Sequence, residues 1–333
     1  MGKSELEQVL EVVYRAILRE TVSFNYYYKA GNDTSLPDGV RGLLAKLAEE
    51  ERGHRKILLN EYTAIQKGWS AGSPGSGDDG GISYVIPEAP EFAALSVPSS
   101  LDFKAVTLPA RLVGGDHIFT RVVTSPDGSD RGVFLILYDA MGHGIETTRI
   151  NSAAASILGD YLDSSVSSDA ESDLLSPSRL VSHLNRRFSL QFEGSGVFIT
   201  LFAAFFDTIN GTVSYTTAGH EPPMVVRRDG TLDSLYNTQL IIGIDHERKY
   251  MEYSVPFGSG DSLCLFSDGV LEAEDPQGEF YGRERLNRVL ATLSGASAGD
   301  IVRAILSDLR EFCSGSRMKD ELTLAAVSCC IGG

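Results

Sequence analysis

Residues 70–81 read SAGSPGSGDDGG and contain no large apolar side chain. A stretch of this composition has nothing to bury and behaves as a flexible tether. The chain must therefore fold as separate bodies on either side: 1–69, a tether over 70–82, and 83–333. The two flanks follow different periods. Before the tether, apolar residues recur at helical spacing and break only at the bend GNDTSLPDG, residues 31–39. This predicts two helices joined by a short turn, the second capped by Ser35 or Asp38. After the tether, apolar runs at 132–137, 198–206, 211–217, 261–266 and 322–328 predict buried strands. Helical patterns fall near 145–164, 176–191, 284–293 and 297–312. Strands and helices come in groups, so an α+β fold is expected rather than regular βαβ alternation.

Charge separates the two bodies further. Residues 1–67 hold 10 Lys+Arg against 10 Asp+Glu, leaving 19 against 35 in the remainder, which carries the whole net charge of −16. A nucleic-acid binder needs a basic face to meet phosphates, so this balance disfavours that class. No apolar run approaches the ~20 residues of a membrane helix, and the start MGKSELEQ has no apolar leader. Four cysteines, two of them adjacent at Cys329 and Cys330, do not make a disulfide framework. A cytoplasmic protein without membrane or nucleic-acid partners is the expectation.

In the first predicted helix the apolar stripe runs Leu6, Leu10, Val13 and Ile17, then meets Glu20 before Phe24 and Tyr27. In the second it runs Val40, Leu44 and Leu47, then meets Glu51 and His54 before Leu58 and Ile65. Polar groups thus occupy positions that should face a helix partner. Burying a free carboxylate costs several kcal/mol, so these groups need ionic partners or a cation. Counted from the bend at ~1.5 Å per residue, Glu20 and Glu51 reach the same height in an antiparallel pair. Glu51 and His54, spaced i and i+3, share a face. One Glu and one Glu-x-x-His pair make half of the ligand set of a ferritin-like di-iron bundle. The segment therefore resembles half of a ferritin-like, rubrerythrin-type bundle, completed by homodimerisation, with two carboxylate-bridged irons. The plainer alternative is a dimerisation hairpin in which Glu20 pairs with an Arg and His54 is an interface residue.

Four short motifs dominate the larger body: Gly114-Gly115-Asp116, Asp139-Ala140-Met141-Gly142-His143-Gly144, Ser267-Asp268-Gly269 and Asp320-Glu321-Leu322-Thr323. Singly, each is explained by a turn or a helix cap. Together they say more, because Asp139 and Asp268 follow the apolar runs FLILY and LCLFS, and Asp320 precedes LTLAAVS. Carboxylates at the ends of several buried strands converge at one sheet edge, where they repel one another unless divalent cations neutralise them.

From about residue 103 to 329 the ordered motifs resemble the SpoIIE-type branch of the metal-dependent (PPM) serine/threonine protein phosphatases. Further matches are Phe198-Ile199-Thr200-Leu201, Thr217-Ala218-Gly219-His220-Glu221-Pro222-Pro223, Ile242-Gly243-Ile244 and Gly278-Glu279-Phe280-Tyr281-Gly282. The resemblance implies a β-sandwich of two antiparallel sheets flanked by helices, with two Mn²⁺ or Mg²⁺ at one end. By the same resemblance Asp139 bridges both ions, Asp116 and the Ala140 carbonyl hold one, and Asp268 and Asp320 hold the other. Glu321 stands where the family often has Asp, and little loss is expected because the preceding residue is the expected ligand. The implied chemistry is in-line attack on a phosphoserine or phosphothreonine by a hydroxide bridging the two metals. The implied substrate is a phosphorylated anti-sigma-factor antagonist or a similar small signalling domain. His143, flanked by glycines, is a candidate proton donor to the leaving oxygen, with water as the alternative. His220 reads as packing at a turn, Cys264 as a buried strand residue, and Arg111 or Arg149 as candidate phosphate clamps.

Two other functions compete with this reading. One is a ferritin-like di-iron oxidase or iron-handling protein whose phosphatase-like part is regulatory. The other is a pseudo-enzyme that only binds phosphoproteins. A combined expectation is that metal or redox state at the N-terminal helices controls a phosphatase.

Overall fold

The computed structural model describes scattered positions between 13 and 31, then residues 36–70, 86, 92 and 97–108. It continues through 115–125, 128–140, 145–166, 175–192, 197–237, 239–316 and 318–330. Residues 71–82 of the expected tether, His143 and Arg111 lie outside these residues, while Ser70 ends a helix. The chain divides into two compact units, Met1–Gly81 and Ile82–Gly333.

In the smaller unit, α1 spans Asp38–Ser70 and opens with Asp38 in its first turn. The described positions between 13 and 31 are also helical. Gly31 lies close enough to α1 that a Cβ there would sit 3.2 Å from the Ala45 backbone nitrogen. No described helix is long and apolar enough to cross a membrane.

The larger unit is built on two five-stranded antiparallel sheets. The first has the order β1 (Leu101–Leu108), β10 (Leu322–Cys329), β9 (Ser262–Phe266), β6 (Met224–Val226), β7 (Leu232–Ser234). The second has the order β2 (Asp116–Thr124), β3 (Asp130–Ala140), β4 (Ile199–Asp207), β5 (Thr212–Ala218), β8 (Tyr253–Pro256). Between them lies a core of Phe103, Val133, Leu135, Leu137, Phe202, Phe206, Leu263, Leu265, Ala325 and Val327. The alternate residues of the same strands face helices. Phe134, Ile136 and Tyr138 pack under α2 (Ile145–Val166) and α3 (Pro177–Gln191). Cys264, Phe266, Leu324 and Ala326 pack under α5 (Gly282–Leu290) and α6 (Ala298–Cys313). A short turn of helix, α4 (Asp268–Leu271), follows β9 directly.

This four-layer arrangement explains the uninterrupted apolar runs. A strand covered on both faces has no polar alternation to display, so Val133–Tyr138 is apolar at every position. Caps at the helix starts are also written in the sequence. Ser176 Oγ accepts from the Arg179 amide ahead of α3, which has Pro177 in its first turn, and Ser297 Oγ accepts from the Asp300 amide ahead of α6.

Candidate metal centre

Strand parity places the site. On β3 the residues facing the opposite sheet are Val133, Leu135 and Leu137, and the next in that row is Asp139. On β2, Asp116 lies directly opposite Asp139 in the antiparallel register. On the other side of Asp139, β4 places Thr200 opposite it. The second sheet contributes from the same end of the sandwich. Ser267 follows β9, and β10 begins just after Asp320 and Glu321. Ser267 and Thr323 tie the two strand ends together: the Ser267 amide donates to the Thr323 carbonyl at 3.0 Å, and the Thr323 amide donates to Ser267 Oγ at 3.0 Å.

The expected carboxylates therefore come within electrostatic reach of one another. Burial, then the charges of Glu321 and Asp268, push the Asp116 carboxyl well above the usual carboxylate range, while the Ser267 and Thr323 hydroxyls partly offset this. Burial, then Asp116, Asp320 and Glu321, do the same to Asp139. Asp116 is only 9% exposed, and among the described residues no donor reaches its Oδ2. An orphaned buried carboxylate oxygen among further carboxylates is an unfavourable arrangement without counter-charge. It is also a set of hard oxygen donors of the kind that suits Mg²⁺ or Mn²⁺. The backbone leaves room beside it. A Cβ on Gly115 would collide with Asp139 Oδ1 and lie 2.6 Å from the Ala140 carbonyl oxygen. Gly115 in turn receives the Ala140 amide on its carbonyl at 3.1 Å. Glycine is required here because the carboxylate and the carbonyl expected to hold metal occupy the space a side chain would fill.

Asp268 and Glu321 thus lie near enough for their charges to act on Asp116, and Asp116, Asp320 and Glu321 near enough to act on Asp139, with Asp320 exposed at the mouth. Sequence reasoning undervalued Glu321. Its Oε2 accepts the Asp116 amide at 3.0 Å, and burial raises its carboxyl while the amides of Asp116 and Gly115 hold it down. Counting back by twos from Val327 and Ala325, which face the opposite sheet, reaches Thr323 and then Glu321. His220 is buried, and burial lowers its pKa to about 4, so the ring is neutral at pH 7. Its Nδ1 lies 3.2 Å from Oγ1 of Thr200, the residue directly opposite Asp139 on β4. Arg149 is exposed, with its guanidinium 5.9 Å from the Phe192 ring centre. Cys264 is buried within β9, as expected.

Asp139, Asp268, Asp320 and Glu321 fall within a family match, and Asp116 lies just before it. The family model described as Stage II sporulation protein E (SpoIIE) matches residues 129–329. The chain belongs to the SpoIIE family. Among relatives, it is 26% identical over 227 residues to "Phosphoserine phosphatase RsbU" of Bacillus subtilis strain 168, covering 68% of this chain and 62% of that one. It is 33% identical over 131 residues to "Protein IcfG" of Synechocystis sp., covering 39% of this chain. The chain thus spans only 20% of IcfG and less than two thirds of RsbU. Two solved structures share the SpoIIE-type fold. The SiaA-PP2C domain of Pseudomonas aeruginosa superposes with a TM-score of 0.57 at 16% identity, covering 67% of this chain and 84% of that one. The PP2C phosphatase domain of Bacillus subtilis SpoIIE gives 0.56 at 19% identity, covering 70% and 64%. The family match lies within the two-sheet unit and does not reach the N-terminal residues.

Those residues hold a second cluster. Glu20, Glu51 and His54 each present a ligand atom within 4.8 Å of the others. His54 Nδ1 lies 3.4 Å from Glu20 Oε2 and 3.3 Å from Glu51 Oε2. Hydrogen bonding with Glu51, and then burial, raise the Glu20 carboxyl above its usual range.

Proposed function

We propose that this SpoIIE-family chain is a metal-dependent phosphatase that hydrolyses phosphoserine or phosphothreonine on a protein, in the first instance a phosphorylated anti-sigma-factor antagonist. The observation that carries this is the opposed pair Asp116–Asp139 at the open end of the sandwich, with Asp116 Oδ2 buried and, among the described residues, lacking a donor. The relative named a phosphoserine phosphatase supports the same reaction class. Asp139, Asp116 and the Ala140 carbonyl would hold one divalent ion, and Asp139, Asp268 and Asp320 the second. Such ions, when bound, acidify a water molecule and neutralise charge on the phosphoryl oxygens. The chain's own part is to hold the carboxylates at fixed spacing. Paired strands β2, β3 and β4 fix Asp116 and Asp139, and the Ser267–Thr323 bonds fix the ends of β9 and β10. His220 stays neutral behind Thr200 and adds no positive charge that would compete with the ions. The test is phosphate release from a phosphoseryl protein by the full chain. Chelation should lower the rate by at least about 100-fold and added Mn²⁺ should restore it, a swing of the size expected for metal-assisted hydrolysis. A rate indifferent to chelator would remove this reading.

A second proposal concerns the smaller unit. Glu20, Glu51 and His54 would bind iron or a similar cation, two copies of the chain together supplying a di-iron set, and the bound metal would regulate turnover. The close approach of the three ligand atoms supports it. Iron(II) added to the full chain, or its subsequent oxidation, should change turnover in wild type and leave Glu51→Ala unaffected. Equal responses in the two proteins would rule the regulation out.

A further inference from the structure

The residue that sets the position of Asp116 comes from the opposite sheet. Asp116 opens β2, and its amide donates not to the neighbouring strand but to Glu321 Oε2, 205 residues later, at 3.0 Å. Glu321 is itself fixed by its backbone. The Ser267 hydroxyl lies 3.4 Å from its carbonyl oxygen, and the backbone at Gly269 packs so closely on that carbonyl that any Cβ there would overlap it. On the far side, Gly115 is wedged against Asp139 and Ala140 with no room for a side chain. The turn at Gly115–Asp116 is thus held between Glu321 on one side and the Asp139–Ala140 backbone on the other. A carboxylate accepting a backbone amide is among the stronger hydrogen bonds available, and here it spans the two sheets.

We infer that Glu321 is a positioning residue, a staple across the mouth of the sandwich that holds the Gly115–Asp116 turn in place for cation binding, and not itself a ligand. The inference rests on the metal-dependent reading for its purpose, and on the bond from the Asp116 amide to Glu321 Oε2 for its geometry. It also accounts for glutamate at this position. The side chain has to reach from the start of β10 to the first amide of β2, and the extra methylene relative to aspartate provides that reach.

The test uses hydrogen exchange on the full chain in chelator. In wild type the Asp116 amide should be protected. Glu321→Ala should speed exchange at residues 115–118 by about 10-fold or more, the range expected for loss of a charge-assisted bond. Protection elsewhere in β3 and β4 should be unchanged. Glu321→Gln keeps a carbonyl acceptor and should restore most of the protection. Mn²⁺ affinity, read by electron paramagnetic resonance, should weaken in Glu321→Ala and stay closer to wild type in Glu321→Gln. If exchange at 115–118 is the same in Glu321→Ala and wild type, the staple is refuted. Equal loss of Mn²⁺ affinity in the Gln and Ala variants would instead make Glu321 a ligand and also overturn the proposal. Failure of wild type to bind Mn²⁺ would sink the metal reading while leaving the exchange result to decide the staple.

Discussion

Asp139→Asn is expected to lower Mn²⁺-dependent phosphate release by at least about 10³-fold while making the metal-free protein more stable. The first part follows from the loss of the carboxylate proposed to touch both ions, a change in transition-state stabilisation of several kcal/mol. The second follows from the same electrostatics with the ions removed. Burial, and then Asp116, Asp320 and Glu321, raise the Asp139 carboxyl far above its unfolded value. Between the unfolded pKa and this raised one, the folded state binds more protons than the unfolded state. Stability of the chelated protein should therefore fall as pH rises from the unfolded pKa towards the raised folded one. Asparagine has no charge to titrate, so the variant should lose part of that slope and melt higher than wild type at pH 7. Thermal unfolding in chelator across pH, repeated with Mn²⁺, measures both effects. Mn²⁺ should raise the melting temperature of wild type strongly and of Asp139→Asn little. A variant that melts lower than wild type in chelator at pH 7 would show that the carboxylates are not in conflict.

The extent to which this site was legible depends on strand burial. β3, β4, β9 and β10 are covered on both faces, so their runs stood out as continuous apolar segments, and the acidic residues at their ends marked the site. β2 was not legible in the same way. Its sequence DHIFTRVVT mixes polar and apolar residues because most of its positions are only half-buried, and nothing in it announces that Asp116 is its first residue. The short strands β6, β7 and β8 gave no periodic signal because three or four residues are too few to establish one. Glu321 was passed over for a different reason. A family pattern directs attention to Asp320, whereas alternation along β10 directs it to the next side chain. Pairing decides which residue enters the space between the sheets, and pairing is a property of the fold. The match of Glu20 with Glu51 and His54 was readable because helix rise and a bend are local quantities.

The largest loss of stability is expected away from the carboxylates, at Arg283. Its side chain is 5% exposed, and Nη2 donates to Glu221 Oε2 at 2.6 Å; the Glu221 side chain is 10% exposed. Nη1 donates to the Pro222 carbonyl at 2.9 Å, and the guanidinium sits 5.1 Å from the centre of the Phe266 ring. One planar group thus joins the Gly219–Pro223 turn to α5 and to the end of β9, immediately before Ser267 and Asp268. That turn also carries His220, which touches Thr200 beside Asp139. Removing one partner of a buried pair leaves the other charge without its counter-ion, which destabilises by about 3–5 kcal/mol. Arg283→Ala should therefore lower the melting temperature by roughly 10 °C for a unit of this size. Arg283→Lys should recover only part of the loss, because a single ammonium cannot reproduce two fixed bonds and the guanidinium's contact over the Phe266 ring. The double variant Arg283→Met with Glu221→Gln should be more stable than Arg283→Ala, since no charge is then left buried. If Arg283→Ala unfolds within about 1 kcal/mol of wild type, the pair is not buried in the sense described, and the turn behind Asp139 must be held by its backbone alone.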